Sequence, residues 1–125
     1  MVVVRWSAGA VTDADVEAFL TRSLAQLERH ERYATLHDGV RASGLDGKQR
    51  ARMSEHTNAH REALGRWMVA AAIVSPSAMV RGIVTAINWL SPPPFPQRQF
   101  AMRSEAEAWV QGMLSADRTA SFLDG

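Results

Sequence analysis

The stretch Arg66–Pro94, RWMVAAAIVSPSAMVRGIVTAINWLSPPP, decides how this chain folds. Met68–Val74 (MVAAAIV) is continuously apolar, as a strand covered on both faces has to be. Ala70, Ala71 and Ala72 carry nothing beyond Cβ, so helices can approach closely there. Ser75 reads as a helix N-cap with Pro76 at the first helical position, where a missing N–H costs nothing. Val80, Ile83, Val84, Ile87 and Leu90 recur at helical spacing and form a buried stripe, with Arg81, Thr85 and Asn88 facing away. Gly82 is mildly unfavourable in a helix interior and suggests a close packing contact. Pro92, Pro93, Pro94 and Pro96 stop the helix. The unit is a buried strand, a tight turn and an amphipathic helix.

Working outward, Val2–Val4 with Arg5 and Trp6 reads as a first strand, or as half of a hairpin whose first half is missing or very short. Thr12 caps a helix from about Asp13 to His30, with Asp13 and Asp15 in the first turn, where the helix dipole favours negative charge. Val16, Phe19, Leu20, Leu24 and Leu27 are its apolar stripe. Tyr33–His37 (YATLH) is a short strand, and Val40–Gly47 is a loop. From Lys48 a mostly polar helix carries the weak stripe Met53, Thr57, His60 and Leu64. Arg98–Met102 is a last strand, Ser104 to Glu107 a capping box, and Trp109, Val110, Met113 and Leu114 the inner face of a final helix. Alternating strands and helices predict right-handed crossovers in a mainly parallel sheet. The expected fold is a small α/β domain, about four strands flanked by four helices, over residues 1–115. Residues 116–125 are expected to form a frayed tail.

Composition sets limits. A chain of 125 residues with 46% hydrophobic content suits one domain with a genuine core. Fourteen basic against 13 acidic residues, net charge +1, give no general pull toward nucleic acid or an anionic membrane. No cysteine is present, which excludes disulfides, thiolate metal sites and cysteine nucleophiles. No apolar run reaches the ~18 residues of a membrane span. MVVVRW lacks the basic leader of a signal peptide, so a cytoplasmic protein is expected.

Three stretches carry a resemblance: SAGAVTDADVEAFL at Ser7–Leu20, MVAAAIV with its following helix, and RQFAMRSEAEAWV at Arg98–Val110. In these the chain resembles the SpoIIAA-like branch of the STAS superfamily. There the last segment is typically a phenylalanine-bearing strand, an acidic turn and a helix with Ala-Trp near its start. Phe100, Glu105, Glu107, Ala108 and Trp109 match. The resemblance implies a non-enzymatic regulatory module that binds another protein, in some members switched by serine phosphorylation, in others binding nucleotide or lipid. Antagonist members carry Asp-Ser-Ser-Gly at the start of the second helix. Here the text is Arg41-Ala42-Ser43-Gly44, with arginine and alanine in place of the aspartate and the modified serine.

Arg41, Ser43, Lys48 and Arg81, with Met79 and Trp89 as apolar contacts, are the expected partner-binding residues. Alternatively His37, Asp38, Ser75 and Ser77, at the carboxyl ends of strands, hold a small anion, nucleotide or lipid, or an apolar molecule. The helix start at Ser75 offers free N–H groups to an anion. Ser75, His37 and Asp38 are also the residue types of a hydrolase, but no G-x-S-x-G elbow surrounds the serine. His56 and His60 stand four apart, a metal-ligand spacing, yet EHTNAH lacks the zincin glutamate. No metal, cofactor or enzymatic activity is expected. The proline run is a stiff connection rather than an SH3 ligand, with Phe95 a candidate rim contact. A homodimer through an open sheet edge is plausible on the same reading.

Overall fold

The computed structural model describes residues 1–6, 9–39 and 45–124, apart from the side chains of Ile83, Ala86, Ile87, Leu90 and residues 121–124. The elements run β1 (Val2–Arg5), α1 (Asp13–Glu28), β2 (Tyr33–Asp38), α2 (Gly47–Ala59), α3 (Arg61–Trp67), β3 (Met68–Val74), α4 (Ala78–Leu90), β4 (Gln97–Phe100) and α5 (Arg103–Asp124). The four strands form one sheet in the order β1-β2-β3-β4, every pair parallel. The α/β fold is therefore as read from the sequence.

Strand order fixes where the helices lie. Each crossover steps one strand in the same direction, and parallel crossovers are right-handed. The connections α1, α2–α3 and α4 therefore all lie on one face. Only α5, after the last strand, is left to cover the other. The burial agrees. Ala34, Leu36, Val69, Ala70, Ala72 and Val74 pack with Ala106 and Val110 of α5. Leu36, Val74 and Val110 are fully enclosed, each contributing about 1.5–3 kcal/mol of burial. On the opposite face, Tyr33, Met68 and Ala71 meet Leu27 of α1 and Leu64 of α3, while Val11, Val16 and Leu20 meet Met53 of α2.

Local chemistry explains the boundaries. Thr12 caps α1 through a capping box with Asp15, their two bonds 3.1 and 3.0 Å long. Of the α1 stripe, Val16, Leu20 and Leu27 are buried, but Leu24 is exposed. Asp46 and Gln49 form a second capping box, which starts α2 one residue before Lys48. The long second helix breaks at His60 (φ −118°, ψ 23°), giving five helices instead of four.

The buried positions of α2 are Gln49 and His56, not the Met53–Thr57–His60 face. Gln49 is polar but satisfied, donating to Val11 C=O at 2.7 Å and Asp13 Oδ1 at 3.1 Å.

Two further expectations at helix starts are corrected. Ser75 remains in the sheet ladder, its N–H donating to Phe100 C=O at 2.9 Å. The cap of α4 is therefore Ser77, whose Oγ accepts from Val80 N–H at 3.2 Å. Helix α5 begins at Arg103, so Ser104 lies inside the first turn rather than capping it. At its far end α5 continues to Asp124, through the segment assigned above to a tail, and Asp117 is gripped there by Arg32 of the α1–β2 connection. Gly82 faces open space, while it is Gly65 that sits against the proline run, its absent Cβ 3.2 Å from Pro94 C=O.

Candidate functional site

Between the four-helix face and the sheet lies a chamber of about 680 Å³, within the 300–1,000 Å³ typical of small-molecule sites. Its floor is Val2 and Val4 of β1, Tyr33, Thr35 and His37 of β2, Ala71 and Ile73 of β3 and Gln97 of β4. Phe19 of α1, Met53 of α2 and Val80 and Val84 of α4 form its walls. The side chains of Ile83, Ile87 and Leu90, expected on the same stripe, lie outside the described residues. Among the described residues, the ties of α4 to the sheet are polar. Asn88 donates to Gln97 Oε1, and Gln99 Nε2 donates to Arg81 C=O at 3.0 Å and Thr85 Oγ1 at 2.9 Å.

Strand alternation places Tyr33, Thr35 and His37 in one row on the chamber floor. The Trp6 indole N–H donates to His37 Nδ1 at 3.4 Å. The Trp6 ring runs nearly parallel to the imidazole, with centroids 6.2 Å apart, and Phe19 meets it at 67° with centroids 5.2 Å apart. Burial pushes the His37 pKa down to about 4, and a Trp6 N–H aimed at Nδ1 favours the same neutral form. Burial also raises Tyr33 to about 12. Thr35 is 6% exposed, and its Oγ1 has no hydrogen-bond partner.

The sequence profile of the SpoIIAA-like family matches residues 1–111. The chain belongs to the SpoIIAA-like family. Among solved structures, this SpoIIAA-like chain is similar to a protein of the DUF3478 family with a SpoIIAA-like fold from Shewanella loihica PV-4. The two share 17% identity over 86% of this chain and 82% of the other, with a TM-score of 0.64. At that identity the likeness speaks to fold alone. No protein of curated function matches the chain. Members of the family are typically regulatory, and their fold is generally non-catalytic. No helix here is long and apolar enough to cross a membrane among the described residues.

The SpoIIAA-like framework separates the residues singled out from sequence. His37 and Ser75 both reach the chamber. Asp38, one residue along, points to the opposite face and pairs with Arg103 at 3.1 Å. A serine–histidine–acid set is thus not assembled. The reason is the two-residue strand period, together with the engagement of His37 Nδ1 by Trp6.

Ser77 is occupied as the α4 cap, and Arg81 donates to Ser75 C=O at 2.6 Å. Met79 and Trp89 project from α4 at 74% and 81% exposure. Lys48 is exposed at the start of α2. Arg41 and Ser43 lie outside the described residues. His56 is buried and hydrogen-bonded to Ser23 Oγ at 3.1 Å, with His60 beside it. Burial, then His60 and Arg52, hold its pKa below the usual histidine value. Phe95 is half-buried against Leu27, Tyr33, Leu64 and Met68, not a rim contact.

Sequence reasoning missed Thr35 and Trp6 as site residues. The alternation Tyr33-x-Thr35-x-His37 signals one polar row on a strand, but only the strand order shows that this row faces a space.

Proposed function

We propose that this SpoIIAA-like domain is a non-enzymatic binding module that takes a small, mainly apolar molecule into the chamber between α1, α2, α4 and the sheet. The chamber carries the reading. It falls within the size range of small-molecule sites and is apolar over most of its wall. Burying an apolar molecule against Val80, Val84, Ile73 and Phe19 would supply the binding free energy.

The test is a titration with the neutral fluorescent dye Nile red. Saturable one-site binding is expected, weakened about tenfold or more, roughly 1.4 kcal/mol, when Ile73→Trp fills the chamber. Far-UV circular dichroism should not change. Absence of saturable binding, or equal binding by the folded Ile73→Trp variant, would sink the reading.

A second reading, recognition of a protein partner, rests on Met79 and Trp89. Large apolar side chains this exposed on one helix are what a partner-binding surface displays. Lys48 at the start of α2, with Arg41 and Ser43 as sequence candidates, would add polar contacts. Self-association would use the edges β1 or β4.

A further inference from the structure

The chamber floor is not uniformly greasy, and its polar atoms are specific. Thr35 Oγ1 is enclosed with no hydrogen-bond partner. Native proteins rarely leave such an atom unsatisfied, because desolvating a hydroxyl without compensation is costly. Two residues along the strand, on the same face, His37 receives the Trp6 N–H on Nδ1. A neutral imidazole accepting on one nitrogen carries its proton on the other, so Nε2 is a donor. No described residue accepts from it. Trp6, nearly parallel to the imidazole and bonded to Nδ1, and Phe19, steeply inclined to it, flank the ring, which fixes the direction of that donor. The Thr35 hydroxyl can turn to donate or accept. The nearest carboxylate in sequence, Asp38, is turned to the other face and paired with Arg103.

Resting on the chamber being a binding site, we propose that its occupant is uncharged and mainly apolar and carries a carbonyl or hydroxyl oxygen, held by the His37 Nε2–H and the Thr35 hydroxyl. The apolar body lies along Ile73 and Val84, and the oxygen sits over the middle of β2. A fully ionised head group is disfavoured, because the two groups offered to it are neutral. Of the lining arginines, Arg50 is engaged on Leu45 C=O and Arg29 on Glu31, while Arg22 lies exposed on α1.

The experiment is competition against Nile red by four ten-carbon compounds: decane, 1-decanol, 2-decanone and decanoate. Native protein, Thr35→Val and His37→Phe are compared. The alcohol and the ketone should displace the dye about tenfold better than decane from the native protein. That advantage should shrink severalfold in each variant, while displacement by decane stays the same. Thr35→Val should also be at least as stable as the native protein, since it removes an unpartnered hydroxyl without changing shape. This second readout stands if His37→Phe fails to fold.

Equal displacement by all four compounds, an oxygen advantage that survives Thr35→Val, or decanoate as the best competitor would each overturn this inference and leave the binding-module reading intact. Failure of Nile red to bind the native protein would remove both.

Discussion

Replacing His37 should change how stability depends on pH. The folded-state pKa of His37 is lowered from 6.5 to about 4 by burial. Because the unfolded chain then takes up the proton first, stability is complete above the unfolded pKa. It falls as the pH drops from about 6.5 toward 4 and flattens below that. Between about pH 7.5 and pH 5, a single group with these two values costs about 2 kcal/mol. The ring is half-buried rather than sealed, so that figure is the upper end, and about 1–2 kcal/mol is the working expectation.

His37→Gln removes the titration but keeps an acceptor for the Trp6 indole. Urea unfolding followed by circular dichroism at both pH values reads the difference directly. With a slope of ~1–3 kcal/mol per molar urea, the native midpoint should fall by roughly 0.5–1 M more than that of the variant. His56, also lowered by burial, acts in the same direction in both proteins and cancels in the comparison. An identical loss in native and variant would refute the placement of His37 as a half-buried ring held neutral.

Other consequences are simpler. Leu36→Ala opens a cavity on the α5 face and should cost about 2–5 kcal/mol in urea or thermal unfolding. Gly112→Ala and Gly82→Ala add a methyl to helix interiors where nothing lies within 4 Å, and each should stabilise by about 0.5–1 kcal/mol. Gln49→Leu leaves Val11 C=O and Asp13 Oδ1 short of a donor and disrupts the Asp46 capping box, so a loss of about 1–3 kcal/mol is expected. Arg32→Ala frees Asp117. It should destabilise by no more than ~1 kcal/mol, an effect that shrinks in high salt and is visible as faster amide exchange near the end of α5.

Much of this architecture was readable because local signals agree with the fold. MVAAAIV reads as a doubly covered strand, Thr12 with Asp13 and Asp15 as a helix start, and the proline run as a helix stop. Where the chain departs from expectation, a non-local contact is responsible. Ser75 has the sequence of a cap, but its N–H is claimed by Phe100 of the neighbouring strand. The break at His60 carries neither proline nor glycine and left no local mark. Asp38 looked like a neighbour of His37 in chemistry as well as in sequence, until the strand sent it to the other face. The chamber was the least legible feature. It depends on strand order, which throws three crossovers onto one face and leaves polar Thr35 beneath them.

The same strand order has a consequence for how the protein is made. Every helix that precedes β4 is committed to one face, so Ala34, Leu36, Ala70, Ala72 and Val74 stay uncovered until the final 22 residues of α5 arrive. On the ribosome, everything through α5 must emerge before that face can be sealed, and until then it is an apolar surface open to chaperones or to another nascent chain. A product ending early, even just after β4, would carry an intact chamber wall on one side and an adhesive sheet on the other. The last helix is therefore the element that closes the second face of the sheet.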